Sequence, residues 1–187
     1  MSATSAPFGL RPVYSPSGTV RPAQYTILTG YATTIHMNQP VKIITSSTGE
    51  GTIAAAAVGD RFIGSFAGVE WTDSDGRRRV SNKWTASTAG TDIVCYVTLD
   101  PSIVYEIQSD AALAITDIGK QYDFTVASGN AVVGVSTQML GVSTAAVNAG
   151  LRLIGITPGP DNAWGDTFVV AQVQISEHQN VADVAAY

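Results

Sequence analysis

Short runs of alternating apolar and polar residues, cut at close intervals by Gly, Pro, Asn or Asp, constrain this chain more than any other feature. Residues 168–176 are the clearest case: Val169, Ala171, Val173 and Ile175 fall on one side, Phe168, Val170, Gln172 and Gln174 on the other. A period of two belongs to a strand with one face on a core. Residues 103–108 read the same way, with Ile103, Tyr105 and Ile107 opposed to Val104, Glu106 and Gln108. This is expected to be a half-buried strand, and Pro101 precedes it where a missing backbone N–H is tolerated. Residues 93–99 place Ile93, Cys95, Val97 and Leu99 on one face just before it. Two strands so close in sequence are expected to pair as a hairpin.

Further runs at 25–28, 32–35, 41–45, 61–71, 80–85, 122–126, 131–136 and 151–157 continue the pattern between turn signals. The cluster Ser46-Ser47-Thr48-Gly49 ends one of them. Residues 54–58 fit a helical turn or a flat strand equally well. Gly64 and Gly68 interrupt the long run 61–71 and predict bulges or a sharp bend. Asp73-Ser74-Asp75-Gly76 has hairpin chemistry, because Asp-Gly accepts positive φ. Residues 111–114 suit a short helix capped by Asp110. The expected fold is therefore all-β, a sandwich or barrel of short antiparallel strands with at most one or two short helices.

Residues 1–24 differ. Pro7, Pro12, Pro16 and Pro22 fix backbone angles and remove ladder donors, so neither helix nor central strand is expected there. Phe8, Leu10, Val13 and Tyr14 are interleaved with the prolines, and an extended apolar segment must lay these side chains on something. The expectation is an extended N-terminal arm over 1–24 and one β domain over 25–187. The arm either folds back on its own domain or docks on a partner subunit, with Arg11 and Arg21 at the edges of the contact.

At 187 residues the chain suits one domain that buries on the order of 70% of its unfolded surface. Its net charge of −5 argues against coating nucleic acid, which needs clustered Lys and Arg. Only 13% of residues are charged, about half the usual share, and such a surface suits packing against neighbours. The N-terminus lacks a signal-peptide pattern and no apolar run approaches the roughly 20 residues of a membrane span, so a soluble protein made in the cytoplasm is expected. Cys95 is the single cysteine and reads as a buried free thiol.

The residues that carry chemistry do not assemble into a motif. His36 and His178 have no partner at ligand spacing, and no metal site or cofactor site is expected. Asp73 and Asp75 open like a calcium loop, but Arg77, Arg78 and Arg79 stand where oxygen ligands are needed. That arginine tip reads as a solvated face able to reach an acidic neighbour or a phosphate. No Gly-x-Ser-x-Gly elbow occurs, and Gly129 and Gly134 lack nucleotide-binding spacing. A glycosidase built on two of Asp60, Glu70, Asp100 and Glu106 is the one enzymatic alternative.

Several segments in order resemble a family of tailed-bacteriophage virion structural proteins. They are Ala6-Pro7-Phe8-Gly9-Leu10-Arg11-Pro12-Val13, then Asp100-Pro101-Ser102-Ile103-Val104-Tyr105-Glu106-Ile107-Gln108, and Thr116-Asp117-Ile118-Gly119. Leu151-Arg152-Leu153-Ile154-Gly155-Ile156, Pro160-Asp161-Asn162 and a last strand running into Glu177-His178-Gln179 complete the set. The resemblance implies a head-associated decoration or cement protein, which binds the outside of the capsid shell non-covalently. Its partners would be the major capsid protein and neighbouring copies of itself, as a dimer or trimer. Phe8, Leu10, Arg11 and Pro12 match the family pattern and are the expected contacts, with Val13 and Tyr14 beside them. Arg77, Arg78 and Arg79 lie outside that pattern, and a tail or connector component is the nearest alternative.

Overall fold

A computed structural model describes residues 4–45, 51–126 and 128–183. The turn expected at 46–49 lies outside the described residues. Eleven strands follow in order: β1 (Arg11–Tyr14), β2 (Pro22–Tyr25), β3 (Pro40–Ile44), β4 (Thr52–Ala55), β5 (Gly64–Thr72), β6 (Arg78–Ser81), β7 (Thr91–Thr98), β8 (Val104–Gln108), β9 (Gln121–Tyr122), β10 (Leu151–Ile156) and β11 (Val170–Ile175). They form two antiparallel sheets packed together as a sandwich, so the all-β expectation holds. The first sheet has the order β1-β8-β11-β10-β9; the second has β2-β7-β5-β3-β4, with β6 paired to β5.

The second sheet curls. Thr26, just past β2, forms a parallel bridge with Thr52 at the start of β4, so the two edges of the sheet meet. The curl encloses Ile27, Ile53, Phe66, Trp84, Cys95 and Val97. A separate core under the first sheet gathers Leu10, Phe62, Tyr105, Phe124, Leu140 and Val173. Burial pushes the Cys95 thiol up to about 12. A thiolate is the reactive form, so the native protein should not react with a thiol reagent at neutral pH, whereas the denatured chain should label fully.

The expected hairpin between 93–99 and 103–108 is not formed. β7 belongs to the second sheet and β8 to the first, and the turn at Asp100 and Pro101 carries the chain from one layer to the other. Tyr105 fixes this corner, its hydroxyl donating to the Thr98 carbonyl oxygen at 2.9 Å. Nor is β8 half-buried. It lies between β1 and β11, and all five residues are buried. Its outer face is covered by the N-terminal residues: the Gln108 side-chain amide accepts from Ala6 N–H at 2.7 Å and donates to Thr4 O at 3.0 Å.

Three other expectations shift. Residues 111–114 are not helical; a single turn of 3-10 helix spans Ile115–Asp117, where Asp117 accepts from the Ala114 N–H. Residues 131–136 are not a strand. Asn130 Oδ1 accepts from the N–H groups of Val132 and Val133, and this local capture of backbone donors makes a turn. The strand returning from the Asp73–Gly76 turn is Arg78–Ser81 rather than 80–85, because Trp84 leaves the sheet to pack edge-on against Trp71, ring centroids 5.8 Å apart. The bulge predicted in 61–71 is present, with a register shift in β5 between Phe66 and Gly68 opposite β7.

Candidate functional site

The residues expected to make contacts fall in two places. β1 is an outer strand of the first sheet and pairs with β8 through Arg11↔Glu106, Pro12↔Tyr105 and Tyr14↔Val104. A proline is tolerated there because one side of an edge strand needs no donor. Leu10, expected at a partner contact, is instead fully buried in the first core. Its position is set by Gly9, whose φ is 73° and which lies so close to Asn38 O and Ser136 that a Cβ has no room. Asn38 adds a hydrogen bond to Phe8 O at 3.1 Å, and Leu10 N–H donates to Asn38 O at 2.7 Å.

Arg11 is held from two sides. Its guanidinium lies 4.3 Å from the centroid of the Phe8 ring and 2.5 Å from the Glu106 carboxylate. Glu106 is buried and also accepts from Thr157 Oγ1 at 2.8 Å. Arg11→Ala leaves this carboxylate short of its cation, so a loss of about 1–3 kcal/mol is expected by denaturant unfolding. Glu106→Gln combined with Arg11→Ala should recover part of that loss. Pro12 and Arg11 border a cleft of about 210 Å³ between the sheets, with Ser65, Phe66 and Thr98 on its far wall. Val13 and Tyr14 point outward and are 42% and 50% exposed. Of the six N-terminal candidates, these two offer the most accessible apolar surface.

Arg77, Arg78 and Arg79 project from the hairpin joining β5 and β6, away from the β1 contacts in sequence and in a different sheet. Arg78 pairs with Glu70 at 3.2 Å and Arg79 with Asp73 at 2.6 Å. Asp73 is the keystone of the turn. Its carboxylate accepts from the N–H groups of Arg77 and Asp75, and these bonds with the Arg79 contact hold it below the usual carboxylate range. An oxygen so occupied has little left for a calcium ion. Among the described residues no group of three or more His, Cys, Asp or Glu is arranged to hold a metal ion.

The four carboxylates considered for sugar hydrolysis are each tied to a different local task. Glu70 accepts from Tyr96 Oη at 2.7 Å, which with Arg78 holds it low. Burial pushes Asp60 up, but the Lys42 ammonium and the Ala57 N–H outweigh it and the net shift is downward. Asp100 is lowered by the hydroxyl and N–H of Ser102 and by Ser15. An acid catalyst needs its carboxyl raised toward neutrality, and these three move the other way. Glu106 has Arg11 and Thr157 as described.

Both histidines are buried. The His36 ring packs on Gly129, and its Nδ1 lies 3.4 Å from Gln39 Oε1. His178 bridges Leu99 O and Asn180 N–H. Val126, Val132 and Val133, which the strand pattern places in the runs 122–126 and 131–136, are instead exposed, at 78%, 94% and 59%. No family model, curated protein or solved structure matches the chain.

Proposed function

We propose that this chain is a structural protein of a tailed-phage virion, most specifically a decoration protein bound non-covalently to the outside of the capsid shell. One observation carries the reading on the structural side: the four carboxylates weighed for sugar hydrolysis, both histidines and most cations are engaged in holding the fold, while Val13 and Tyr14 stand exposed on an edge strand. A molecule so arranged is suited to contact rather than to chemistry. The ordered sequence resemblance supplies the kind of assembly. The partners on this reading are the major capsid protein and adjacent copies, and the chain acts without a cofactor.

The contact on this reading is the outer margin of β1. Roughly 25 cal/mol is gained per Å² of apolar surface removed from water, so a few hundred Å² per copy offers several kcal/mol before ordering costs. The double variant Val13→Ser, Tyr14→Ser changes exposed side chains and should melt close to the wild type. Its occupancy on purified shells lacking the protein should fall by about tenfold or more, since 1.4 kcal/mol is a factor of ten. Unchanged occupancy would place the contact elsewhere. A wild-type protein that does not bind shells at all would remove the decoration reading, and a few copies at one vertex would favour a tail or connector component.

A further inference from the structure

We propose that residues 177–183 form an acid-released clasp between the two sheets, with His178 as the group whose protonation opens it. The segment leaves β11 of the first sheet and crosses to the second. Phe62 and His178 form a bridge, Gln179 N–H donating to Phe62 O at 3.2 Å. The Gln179 side chain then stands in for a missing strand: Oε1 accepts from Ile43 N–H at 2.6 Å and Nε2 donates to Ile43 O at 3.1 Å. β5 pairs with β3 only at Pro40 and Val41, so this amide covers a stretch of β3 that β5 does not reach. Arg61 and Asp183 close the far end with an ion pair.

His178 sits at the centre, 2% exposed. Its Nδ1 lies 3.1 Å from the backbone nitrogen of Asn180, and its Nε2 lies 2.9 Å from Leu99 O. A backbone N–H can only donate and a carbonyl oxygen can only accept. The ring is therefore neutral, with its proton on Nε2. Adding a proton to Nδ1 turns the Asn180 contact into two donors facing each other at the margin of the buried ring, and a charge is added to that ring without a carboxylate hydrogen bond.

The charged groups around the clasp are Glu177 and Asp183 on the segment, Arg61 before β5, Asp123 after β9 and the Lys42–Asp60 pair beside it. Burial raises Glu177 first, and the charges of Asp183 and Asp123 raise it further. A carboxyl raised on folding takes up a proton more readily in the folded state, so its contribution to stability grows as pH falls. Glu177 thus opposes acid release. The only other histidine, His36, has its Nδ1 facing the Gln39 carbonyl oxygen and loses no acceptor on protonation. Release would uncover the backbone of Ile43, a bare strand edge open to a partner strand.

The test is amide hydrogen exchange of the full chain at about pH 7.5 and about pH 5, with rates corrected for intrinsic chemistry. Protection of residues 179–181, whose N–H groups are bonded to Phe62 O, His178 Nδ1 and His178 O, should fall about tenfold or more at the lower pH while β5 and β8 keep theirs. His178→Gln should abolish the loss of protection at low pH whatever its baseline, and His36→Gln should leave that loss intact. Unchanged protection in the wild type overturns the proposal, as does a loss that persists in His178→Gln or disappears in His36→Gln. If His178→Gln does not fold, ring ¹⁵N shifts of the wild type decide: Nδ1 protonation must coincide with loss of the Asn180 amide signal, and titration without that loss rejects the clasp.

Discussion

Removal of residues 1–15 should leave a chain that does not fold, and circular dichroism with thermal melting should show no cooperative transition. Leu10 is fully buried in the first core, and losing such a side chain costs about 2–5 kcal/mol by itself. The same deletion strips β1 from β8, exposes a new sheet edge, and leaves Glu106 buried without Arg11. Ser15 would also be lost from Asp100 at the corner between the sheets. Against a domain stability of about 5–15 kcal/mol, these losses together are close to the whole. A truncated domain that melts within a few degrees of the full chain would show that the N-terminal residues are an appendage. The deletion therefore tests the fold, and only exposed substitutions at Val13 and Tyr14 test binding.

Gly64→Ala should be the most damaging added methyl among the glycines of the described residues. Gly64 opens β5 where it meets β3 through Val41, and its neighbour Ser65 pairs with Thr98 of β7. A Cβ at Gly64 would land on the Thr98 carbonyl oxygen, with the Thr98 carbonyl carbon and Leu99 Cα close behind. Backbone cannot swing aside as a long side chain can, so three strands must shift to admit it. A loss of about 3 kcal/mol or more is expected in denaturant unfolding. Gly155→Ala is the control: the nearest atom to its Cβ is Gln172 Oε1 at 4.0 Å, and the change should stay within about 0.5 kcal/mol. Equal effects at the two positions would contradict the close approach of β5 and β7.

Alternation made the core faces of β8 and β11 legible in the sequence, since Ile103, Tyr105, Ile107, Val169, Ala171, Val173 and Ile175 are all buried. It was silent about the layer each strand joins. The spacing of β7 and β8 suits a hairpin and a corner equally, and only the packing of Tyr105 against Thr98 separates them. The outer face of β8 misled for a related reason: Glu106 and Gln108 look solvent-facing until distant residues 4–11 cover them. Such long-range covering leaves no local signal. The same holds for the candidate contacts, where the proline-interleaved apolar pattern marked Leu10 and Val13 alike, but one lies inside and the other outside. In contrast, the failure of the calcium-like loop was readable, because Arg77, Arg78 and Arg79 follow Gly76 directly.

On the function proposed above, this chain is a repeated component of a capsid exterior. The number of copies per purified virion, counted by quantitative mass spectrometry against the major capsid protein, should then be on the order of hundreds, in a fixed small ratio to that protein, as symmetric display on a closed shell requires. Absence from the virion, or a handful of copies per particle, would contradict it.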